Sequence, residues 1–279
     1  MIVREALELG KKTLTHAGIQ NPVLDSQVIL SFALKIDKLT LLINPETTLS
    51  KEQQDQYNKL LALRCRHIPI AYITGHKEFY GLNFQVNSEV LVPRPETEFA
   101  VEEVLKHISN IKEPKVADIC CGSGAIAVSI AVHHKTAVVY ATDISEACGK
   151  VTIKNSKYHG VNERVIFLKG NLLEPLKDSC LDVIVSNPPY IPRKDIESLP
   201  ADVRHEPVLA LDGGIDGLDM YREIIKDAPK YLKPGGSIIF EIGWNQGKDV
   251  EEYLTTSGFS KIRVIRDYAG FDRVISAKL

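Results

Sequence analysis

The sequence predicts an α/β protein in which a mostly parallel, doubly wound sheet follows a small helical domain and a linking β-hairpin. Three observations support this fold class. Apolar residues recur at helical spacing before residue 69, and apolar strands alternate with helical segments after residue 93. The chain then closes with two apolar runs, KIRVIRD and RVISAKL, that no helix separates, which indicates an antiparallel edge on the sheet.

The amino-acid composition excludes several classes of function. The 279 residues are 44% hydrophobic and 25% charged, which suits one medium and one small domain, and the net charge of −2 does not favour nonspecific binding to phosphate backbones. Five cysteines without CxxC pairs or metal-ligand spacing indicate reduced thiols and no metal site. No signal-peptide pattern is present, and no window approaches the roughly 18 apolar residues of a membrane span. We therefore expect a cytoplasmic monomer without membrane or direct nucleic-acid binding.

The chain divides into three predicted parts. Residues 1–69 form a helical domain, in which Ser50 and Gln53 resemble a capping box that opens a helix. Residues 70–92 change to β-branched and aromatic residues with alternating polarity, which predicts a hairpin linker. Residues 93–279 carry strands of unbroken apolar residues separated by helices, which is typical of a parallel sheet covered on both faces.

A glycine turn lies between the strand predicted at VADIC and the helix predicted at GAIAVSIAVHH. It consists of Cys120, Cys121, Gly122, Ser123 and Gly124. Such a turn lets the backbone approach a ligand and presents N–H groups to an anion such as a carboxylate. Asp143 ends the next strand 19 residues after Gly124, close to the roughly 20-residue spacing at which an acidic residue reaches ribose hydroxyls. We predict a cofactor site here.

On these residues alone, other interpretations stay open. The turn could need glycine only for tight packing of strand and helix. It could also bind a nicotinamide cofactor, although the full G-x-G-x-x-G pattern is absent, because Cys120 stands at the first glycine position and Ala125 follows Gly124. Asn171 and Leu172 follow the next strand, where Asn171 could bond an adenine edge and Leu172 could pack on its face. They could equally be a polar turn residue and a core leucine.

The strongest signal is Asn187-Pro188-Pro189-Tyr190, where an apolar strand must stop at the carboxyl edge of the sheet. An amide nitrogen is a poor nucleophile, since its lone pair is delocalised. The Asn187 side-chain oxygen and the Pro188 carbonyl can each accept one N–H of a substrate amine and direct its lone pair at a methyl donor. Tyr190 can stack on a planar group. A rigid turn at the strand end is the structural alternative.

These motifs predict a class I, Rossmann-like methyltransferase that uses S-adenosylmethionine and methylates a planar, amide-like nitrogen. We predict that Asn187, Pro188 and Tyr190 act in catalysis, that Pro189 joins them in binding the substrate, and that Asn187 also borders the cofactor. The cofactor residues predicted with it are Cys120, Cys121, Gly122, Ser123, Gly124, Asp143, Asn171 and Leu172.

The chain resembles one family, the HemK/PrmC glutamine methyltransferases, which modify the Gly-Gly-Gln loop of peptide-chain release factors. The resemblance runs over nearly the whole chain. It is carried by PIAYITGHKEFYGLNF at 69–84, VLVPRPETE at 90–98, DICCGSGAIA at 118–127, SNPPYI at 186–191, DVRHEPVLAL at 202–211, DGLDMYREI at 216–224, EIGWNQG at 241–247 and DYAGFDRV at 267–274. NPPY alone is shared with nucleic-acid amino methyltransferases, whereas the whole set is far more specific.

The resemblance implies that the helical domain recognises a release factor, that S-adenosylmethionine lies at the glycine turn, Asp143 and Leu172, and that the substrate glutamine lies at residues 187–190. The chain departs from the family at three places. The family more often has Gly-Thr where Cys120-Cys121 stand, commonly has an acidic residue at Asn171, and often has Trp at Leu172.

The stretch 192–219 lacks strong periodicity and is longer than most connections, so we expect it to cover the incoming glutamine. Arg204 and Glu206 within it are candidates for positioning the substrate, or else form a surface ion pair. Arg94 and Glu96 are candidates for bordering the cofactor.

Two other functions remain as alternatives. Adenine N6 and guanine N2 present the same flat amine, so a nucleic-acid methyltransferase fits the motif. Base flipping and backbone binding call for positive charge, however, and the near-neutral total and the absence of a dense Lys/Arg tract count against this alternative. A noncatalytic cofactor-binding module is the third possibility. The sequence favours methylation of a protein glutamine.

Overall fold

The computed structural model describes residues 1–177 and 180–279. The described chain forms two compact units. They are Met1–His76 with Pro200–His205, and Lys77–Leu199 with Glu206–Leu279.

The first unit is helical, as predicted for the amino-terminal domain. Its helices are α1 (Val3–His16), α2 (Pro22–Leu34), α3 (Lys38–Ile43), α4 (Lys51–Cys65) and α5 (Ile70–Thr74). Ser50 caps α4 as the sequence predicts, because its hydroxyl accepts from the Gln53 N–H while the Gln53 side chain accepts from the Ser50 N–H. Among residues 1–177 and 180–279, no helix is long and apolar enough to cross a membrane.

A buried tyrosine joins three helices of this unit. The Tyr57 hydroxyl on α4 lies 2.8 Å from Ser26 Oγ on α2 and donates to the Ala6 carbonyl on α1 at 3.1 Å. A Cβ at Gly10 would lie 2.0 Å from that hydroxyl, so only glycine leaves room for it. Because burial raises the pKa of Tyr57 to about 12, the hydroxyl stays protonated and continues to donate.

The segment 70–92 differs in part from the predicted hairpin. Its first five residues form helix α5, which follows Pro69 and ends at Gly75 in the left-handed conformation with φ 76°. The hairpin is shorter and consists of β1 (His76–Phe79) and β2 (Leu82–Gln85). Tyr80 and Gly81 connect the strands with positive φ at both residues, as a tight two-residue hairpin turn requires. The β-branched residues of IAYIT therefore misled the prediction at the start of the segment.

The second unit is built on a sheet with the strand order β5-β4-β3-β6-β7-β9-β8. Its strands are β3 (Lys115–Ile119), β4 (Val138–Asp143), β5 (Val165–Lys169), β6 (Leu181–Ser186), β7 (Leu232–Glu241), β8 (Ser260–Arg266) and β9 (Asp272–Lys278). Neighbouring strands from β5 to β7 run parallel, whereas β9 runs antiparallel to both β7 and β8. The predicted parallel sheet with an antiparallel carboxyl-terminal edge is confirmed.

Helices cover both faces of the sheet. They are α6 (Glu98–Ile108), α7 (Ala125–His133), α8 (Glu146–Tyr158), α9 (Asp219–Asp227) and α10 (Gly247–Thr256). Apolar residues of α6 and α7 pack with Val116 and Val183 on one face. Those of α9 and α10 pack with Ala117 and Ile184 on the other, since successive strand residues point to opposite faces.

The register of the parallel strands brings their carboxyl ends to one edge. Ile119 of β3 pairs with Thr142 of β4 and with Ser186 of β6, and Ser186 in turn pairs with Phe240 of β7. Open α/β sheets bind ligands at this edge. The polar groups at these strand ends are Cys120, Asp143, Asn187 and Glu241.

Candidate active site

A cavity of about 310 Å³ opens at the carboxyl edge of the sheet, within the roughly 300–1,000 Å³ range of ligand pockets. Predicted site residues that line it are Cys120, Gly122, Asp143, Asn171, Leu172, Asn187 and Pro189. Predicted site residues that are not among its described lining are Cys121, Ser123, Gly124, Pro188 and Tyr190. The structure thus brings residues of both predicted sites together around one cavity.

The charged residues that line the cavity are all acidic among those described. Glu89, Asp143 and Asp212 contribute carboxyl groups, and no lysine, arginine or histidine is among the described lining residues. Carboxylates stabilise a nearby cation and repel phosphate. The cavity therefore suits a cationic ligand, such as a sulfonium that also carries an ammonium group, better than a dinucleotide pyrophosphate.

The glycine turn reaches the cavity through unusual backbone conformations. Cys120, Gly122 and Gly124 have φ of 59°, 53° and 75°. The Asn155 side chain donates to the Ser123 carbonyl at 2.9 Å, and the Thr152 hydroxyl donates to the Gly122 carbonyl at 3.1 Å. Two side chains of α8 therefore hold the turn in place. Burial raises the pKa of the neighbouring Cys120 and Cys121 thiols, so both remain neutral at pH 7.

Gly124 is the position where this turn tolerates substitution least. A Cβ there would lie 2.7 Å from Thr152 Cγ2, and the positive φ adds backbone strain. We expect Gly124→Ala to destabilise the protein by about 1–3 kcal/mol and to weaken cofactor binding. Thermal unfolding and calorimetric titration measure the two effects. Gly258→Ala is the matched control, because Gly258 also has positive φ (87°) but has no atom within 4 Å of the added Cβ. Equal losses in both variants would contradict the packing argument.

Asp143 links the turn to the next strand. Its Oδ2 accepts from the Gly122 N–H at 3.0 Å, and its Oδ1 accepts from the Ser145 N–H at 2.9 Å. Each carboxylate oxygen keeps a further lone pair for a ligand hydroxyl. The carboxylate is therefore fixed in orientation while it still lines the cavity.

Asp118 lies behind the turn and is fully buried. Its Oδ2 accepts from the Ala127 N–H at 3.0 Å, while Oδ1 has no partner among the described residues. Burial, with a smaller contribution from nearby Asp143, raises the pKa of Asp118 to about 8. This carboxyl group is accordingly mostly protonated at pH 7.

Asn171 and Leu172 lie at one end of the cavity. Leu172 has φ 45°, and its carbonyl accepts from the Thr142 hydroxyl at 2.8 Å. That bond holds the leucine backbone against the end of β4. Ile144, which directly follows Asp143, also lines the cavity and is 54% exposed, so it offers an apolar surface that a ligand can cover.

The Asn187–Tyr190 motif begins directly after β6. The Asn187 amide nitrogen donates to Thr97 Oγ1 at 3.2 Å, Pro188 is buried, and Pro189 faces the cavity. The Tyr190 hydroxyl donates to Glu241 Oε1 at 3.4 Å. The motif is thus anchored at both ends by residues outside it.

Glu241 ends β7 beneath this motif and is buried. Its Oε2 has no partner among the described residues. Burial, with a smaller contribution from nearby Glu96, raises the pKa of Glu241 to about 7, against the lowering effects of the Arg273 charge and of the hydrogen bond from Tyr190. The carboxyl group therefore changes its charge near neutral pH.

The segment 192–219 contains three short 3₁₀ turns, at Arg193–Ser198, Val203–His205 and Val208–Ala210. Its glycines pack on the motif, because a Cβ at Gly213 would lie 2.7 Å from Tyr190 Cα and one at Gly217 would lie 2.3 Å from the Tyr190 carbonyl oxygen. Substitution at either glycine would displace the motif.

The candidate charged residues of this region have specific partners. Glu206 is buried and accepts from the Arg94 guanidinium and from the Val92 N–H at 2.9 Å. Glu206 thus forms an ion pair with Arg94. Arg94, Glu96 and Glu206 are not among the described residues that line the cavity.

Comparison with known proteins identifies the family. Residues 5–75 match the PrmC N-terminal domain, and residues 95–202 match the methyltransferase small domain. A release factor glutamine methyltransferase of Moorella thermoacetica is 41% identical over 278 residues, which cover 99% of this chain and 98% of that protein. The chain belongs to the release factor glutamine methyltransferase family. A protein of the same name from Clostridium botulinum is 41% identical over 281 residues, covering 100% and 99%.

Solved structures share the fold of this family member. The hMettl16 catalytic domain, in complex with MAT2A 3′UTR hairpin 6, superposes with a TM-score of 0.58 at 15% identity, covering 78% of this chain and 81% of that one. A methyltransferase from Pyrococcus furiosus gives 0.52 at 17% identity, covering 71% and 89%. The predicted class I fold is confirmed, and the chain is a methyltransferase that uses S-adenosylmethionine.

Sequence reasoning missed several residues of this methyltransferase site. Thr97 and Glu241 lie within the quoted motifs VLVPRPETE and EIGWNQG, but nothing in their spacing indicates that Thr97 bonds with Asn187 and Glu241 with Tyr190. Ile144 could have been predicted from the sequence. It is an apolar residue directly after the acidic residue that ends β4, so it lies where it can contact a ligand bound by Asp143.

Proposed function

We propose that this methyltransferase transfers the methyl group of S-adenosylmethionine to the side-chain nitrogen (N5) of the glutamine in the Gly-Gly-Gln loop of peptide-chain release factors. Family membership supports the choice of acceptor. The observation that carries the chemistry is the Asn187 amide, whose nitrogen donates to Thr97 and whose oxygen is thereby left to accept from a substrate amine.

The residues around the cavity divide between the parts of the cofactor. The Asp143 carboxylate would accept from the ribose hydroxyls, and the glycine turn would hold the methionine moiety beside the acidic lining. Asn171 would contact the adenine edge, while Ile144 and Leu172 would pack against the adenine faces. When bound, S-adenosylmethionine supplies a methyl group activated by a sulfonium cation.

The proposed transfer is an in-line displacement. Asn187 Oδ1 and the Pro188 carbonyl accept the two N–H bonds of the glutamine amide, which turns the nitrogen lone pair toward the methyl carbon. With S-adenosylmethionine bound, the nitrogen would bond to the methyl carbon as the carbon–sulfur bond breaks, and it would then release one proton to water. No dedicated general base is needed, because the acidic N–H appears only after attack.

Tyr190 would select a planar acceptor. Its hydroxyl is held by Glu241, and its carbonyl accepts from the Gln246 side chain at 3.0 Å. A ring fixed at both ends offers a flat surface on which an amide can stack. Since every proposed contact comes from one chain, we further propose that the enzyme acts as a monomer, and that it acts in the cytoplasm, where translation occurs.

The acceptor is tested with methyl-labelled cofactor and purified release factor. We expect label in the wild-type release factor and none when the loop glutamine is changed to alanine. Ribosomal RNA and genomic DNA, offered in parallel, should stay unlabelled, because a net charge of −2 does not favour binding to phosphate backbones. Label in nucleic acid but not in protein would support the amino methyltransferase alternative instead.

A further inference from the structure

Three exposed aromatic side chains lie at the same edge of the sheet as the Asn187–Tyr190 motif. Trp244, the single tryptophan of the sequence, follows β7 and is 63% exposed. Tyr268 and Phe271, which are 97% and 49% exposed, lie in the turn between β8 and β9. Because β9 runs antiparallel to β7, this turn lies beside the end of β7, and the Trp244 and Phe271 rings are 6.4 Å apart. We call these three side chains the aromatic surface.

Hydrogen bonds fix the backbone of the turn that carries Tyr268. Asp267 Oδ1 accepts from the Ala269 N–H at 2.9 Å and from the Phe271 N–H at 3.0 Å. Asp267 Oδ2 accepts from Arg273 Nε at 2.8 Å. The two rings of the turn are therefore presented to solvent by an ordered backbone, which lowers the entropy that a partner loses on binding.

The turn that carries Trp244 is bonded to the reacting motif. The Gln246 side-chain oxygen accepts from the Gly243 N–H at 2.9 Å, and its nitrogen donates to the Tyr190 carbonyl at 3.0 Å. Trp244 lies between these two residues in the chain. The aromatic surface is therefore continuous with the site proposed for the substrate glutamine.

An acidic groove of about 280 Å³ lies between the start of α6 and the turn that carries Tyr268. Its described lining has four carboxyl groups and two aromatic rings, with no lysine, arginine or histidine, and these six residues are Glu96, Glu98, Glu102, Asp267, Phe99 and Tyr268. The two rings are 5.2 Å apart. Nearby Lys106 and Arg273 pair with Glu102 at 3.8 Å and with Asp267 at 2.8 Å. Four carboxylates against these two cations leave the groove with a net negative charge.

This combination of groups suits an arginine side chain. A guanidinium is attracted to the faces of aromatic rings and forms paired hydrogen bonds with carboxylates. A lysine ammonium is a more strongly hydrated point charge without a flat face, and a phosphate would be repelled. Exposed tryptophan and tyrosine are also the residues that contribute most to binding at protein interfaces.

We propose that the aromatic surface and the acidic groove dock an arginine-bearing segment of the release factor that flanks the loop glutamine. The inference rests on the proposed function, in which the glutamine enters at Asn187–Tyr190. The chain on one side of that glutamine then passes over the neighbouring surface at the same edge. These residues contribute affinity for the protein substrate and take no part in methyl transfer.

The first test measures the Kd of release factor for the enzyme saturated with S-adenosylhomocysteine, the demethylated form of the cofactor. We expect Tyr268→Ala and Trp244→Ala each to raise this Kd by about 5- to 30-fold, the range of an interface hot spot. Tyr268→Phe keeps the ring and should bind like the wild type. Tyr158→Ala is the matched control, because Tyr158 is 58% exposed at the end of α8.

The same variants distinguish docking from catalysis. In Tyr268→Ala and Trp244→Ala, kcat at saturating release factor and the Kd of S-adenosylmethionine should stay within about twofold of wild type, while KM for release factor rises. Wild-type Kd and KM for release factor in both variants would overturn the proposal.

The second test addresses the charge of the docked segment. Glu96→Gln combined with Glu102→Gln should raise the Kd of release factor by about 3- to 10-fold at low salt and reduce its dependence on salt. Each arginine within about ten residues of the loop glutamine, a length that spans roughly 33 Å when extended, is changed in turn to glutamine. A double-mutant cycle with the enzyme variant should show coupling at one of them. Glu251→Gln on α10 is the control, and coupling at none of the arginines would contradict the proposal.

The outcomes separate this proposal from the proposed function. Binding that depends on Tyr268, without methylation of the loop glutamine, would refute the proposed acceptor and keep the docking surface. Normal methylation with no effect of Tyr268→Ala or Trp244→Ala would refute the docking surface alone. Sedimentation of the free enzyme checks the other occupant, since a dimer that Tyr268→Ala dissociates would assign the surface to a second copy of this chain and overturn the proposal.

Discussion

Asn187→Ala should lower kcat for methyl transfer by about 10²- to 10³-fold, the range found when one fixed hydrogen-bonding group is removed from the reacting centre of an enzyme. The variant keeps the Pro188 carbonyl but loses the oxygen that accepts the second substrate N–H. The amine can then rotate, and its lone pair no longer stays aligned with the methyl group. Single-turnover rates with saturating cofactor and release factor measure the loss.

The same variant distinguishes an effect on the rate of methyl transfer from an effect on cofactor binding. Asn187 also lines the cavity, but Asp143 and the glycine turn supply the proposed polar contacts to the cofactor. We therefore expect its cofactor Kd to change by less than about tenfold. Asn110→Ala, at an exposed position beyond α6, is the matched control. A near-normal kcat in Asn187→Ala would contradict the proposal that this motif acts in catalysis.

Asp143→Ala should raise the cofactor Kd by about 100-fold or more, because charge-assisted hydrogen bonds contribute roughly 1.5–3 kcal/mol each. The carboxylate is proposed to accept from both ribose hydroxyls. Its removal also leaves the N–H groups of Gly122 and Ser145 without their acceptor, which loosens the glycine turn. Isothermal titration with S-adenosylmethionine measures the change.

Asp143→Asn refines this test. It keeps one acceptor oxygen but loses the charge, so its Kd should lie between those of the wild type and Asp143→Ala. Asp249→Ala, at the exposed start of α10, controls for the loss of an aspartate. Unchanged binding in Asp143→Ala would show that the ribose lies elsewhere.

Much of this site could be predicted because it depends on local order along the chain. A buried apolar strand must be followed by a turn, and parallel strands bring their carboxyl ends together. Asp143 and Asn187 could therefore be assigned to one edge from the sequence alone. The antiparallel edge was equally predictable, since β8 and β9 lack the helix that a parallel connection needs.

Other features depend on packing between distant segments. Thr97 lies 90 residues before Asn187, and no periodicity relates them. The ion pair of Glu206 with Arg94 was likewise unpredictable, because 112 residues separate the two along the chain. Helix α5 was missed for a local reason: the β-branched residues of IAYIT favour a strand, but the flanking Pro69 and Gly75 fit the two ends of a short helix.

The most direct test of the proposed function is the location of the methyl group. Release factor incubated with the enzyme and S-adenosylmethionine is digested, and the peptide that contains the Gly-Gly-Gln loop is fragmented in a mass spectrometer. We expect a single added methyl group on the glutamine side chain, absent from the Asn187→Ala reaction. A methyl group on any other residue of the release factor would contradict the proposed function. So would a loop glutamine that stays unmodified after incubation with folded enzyme that binds S-adenosylmethionine.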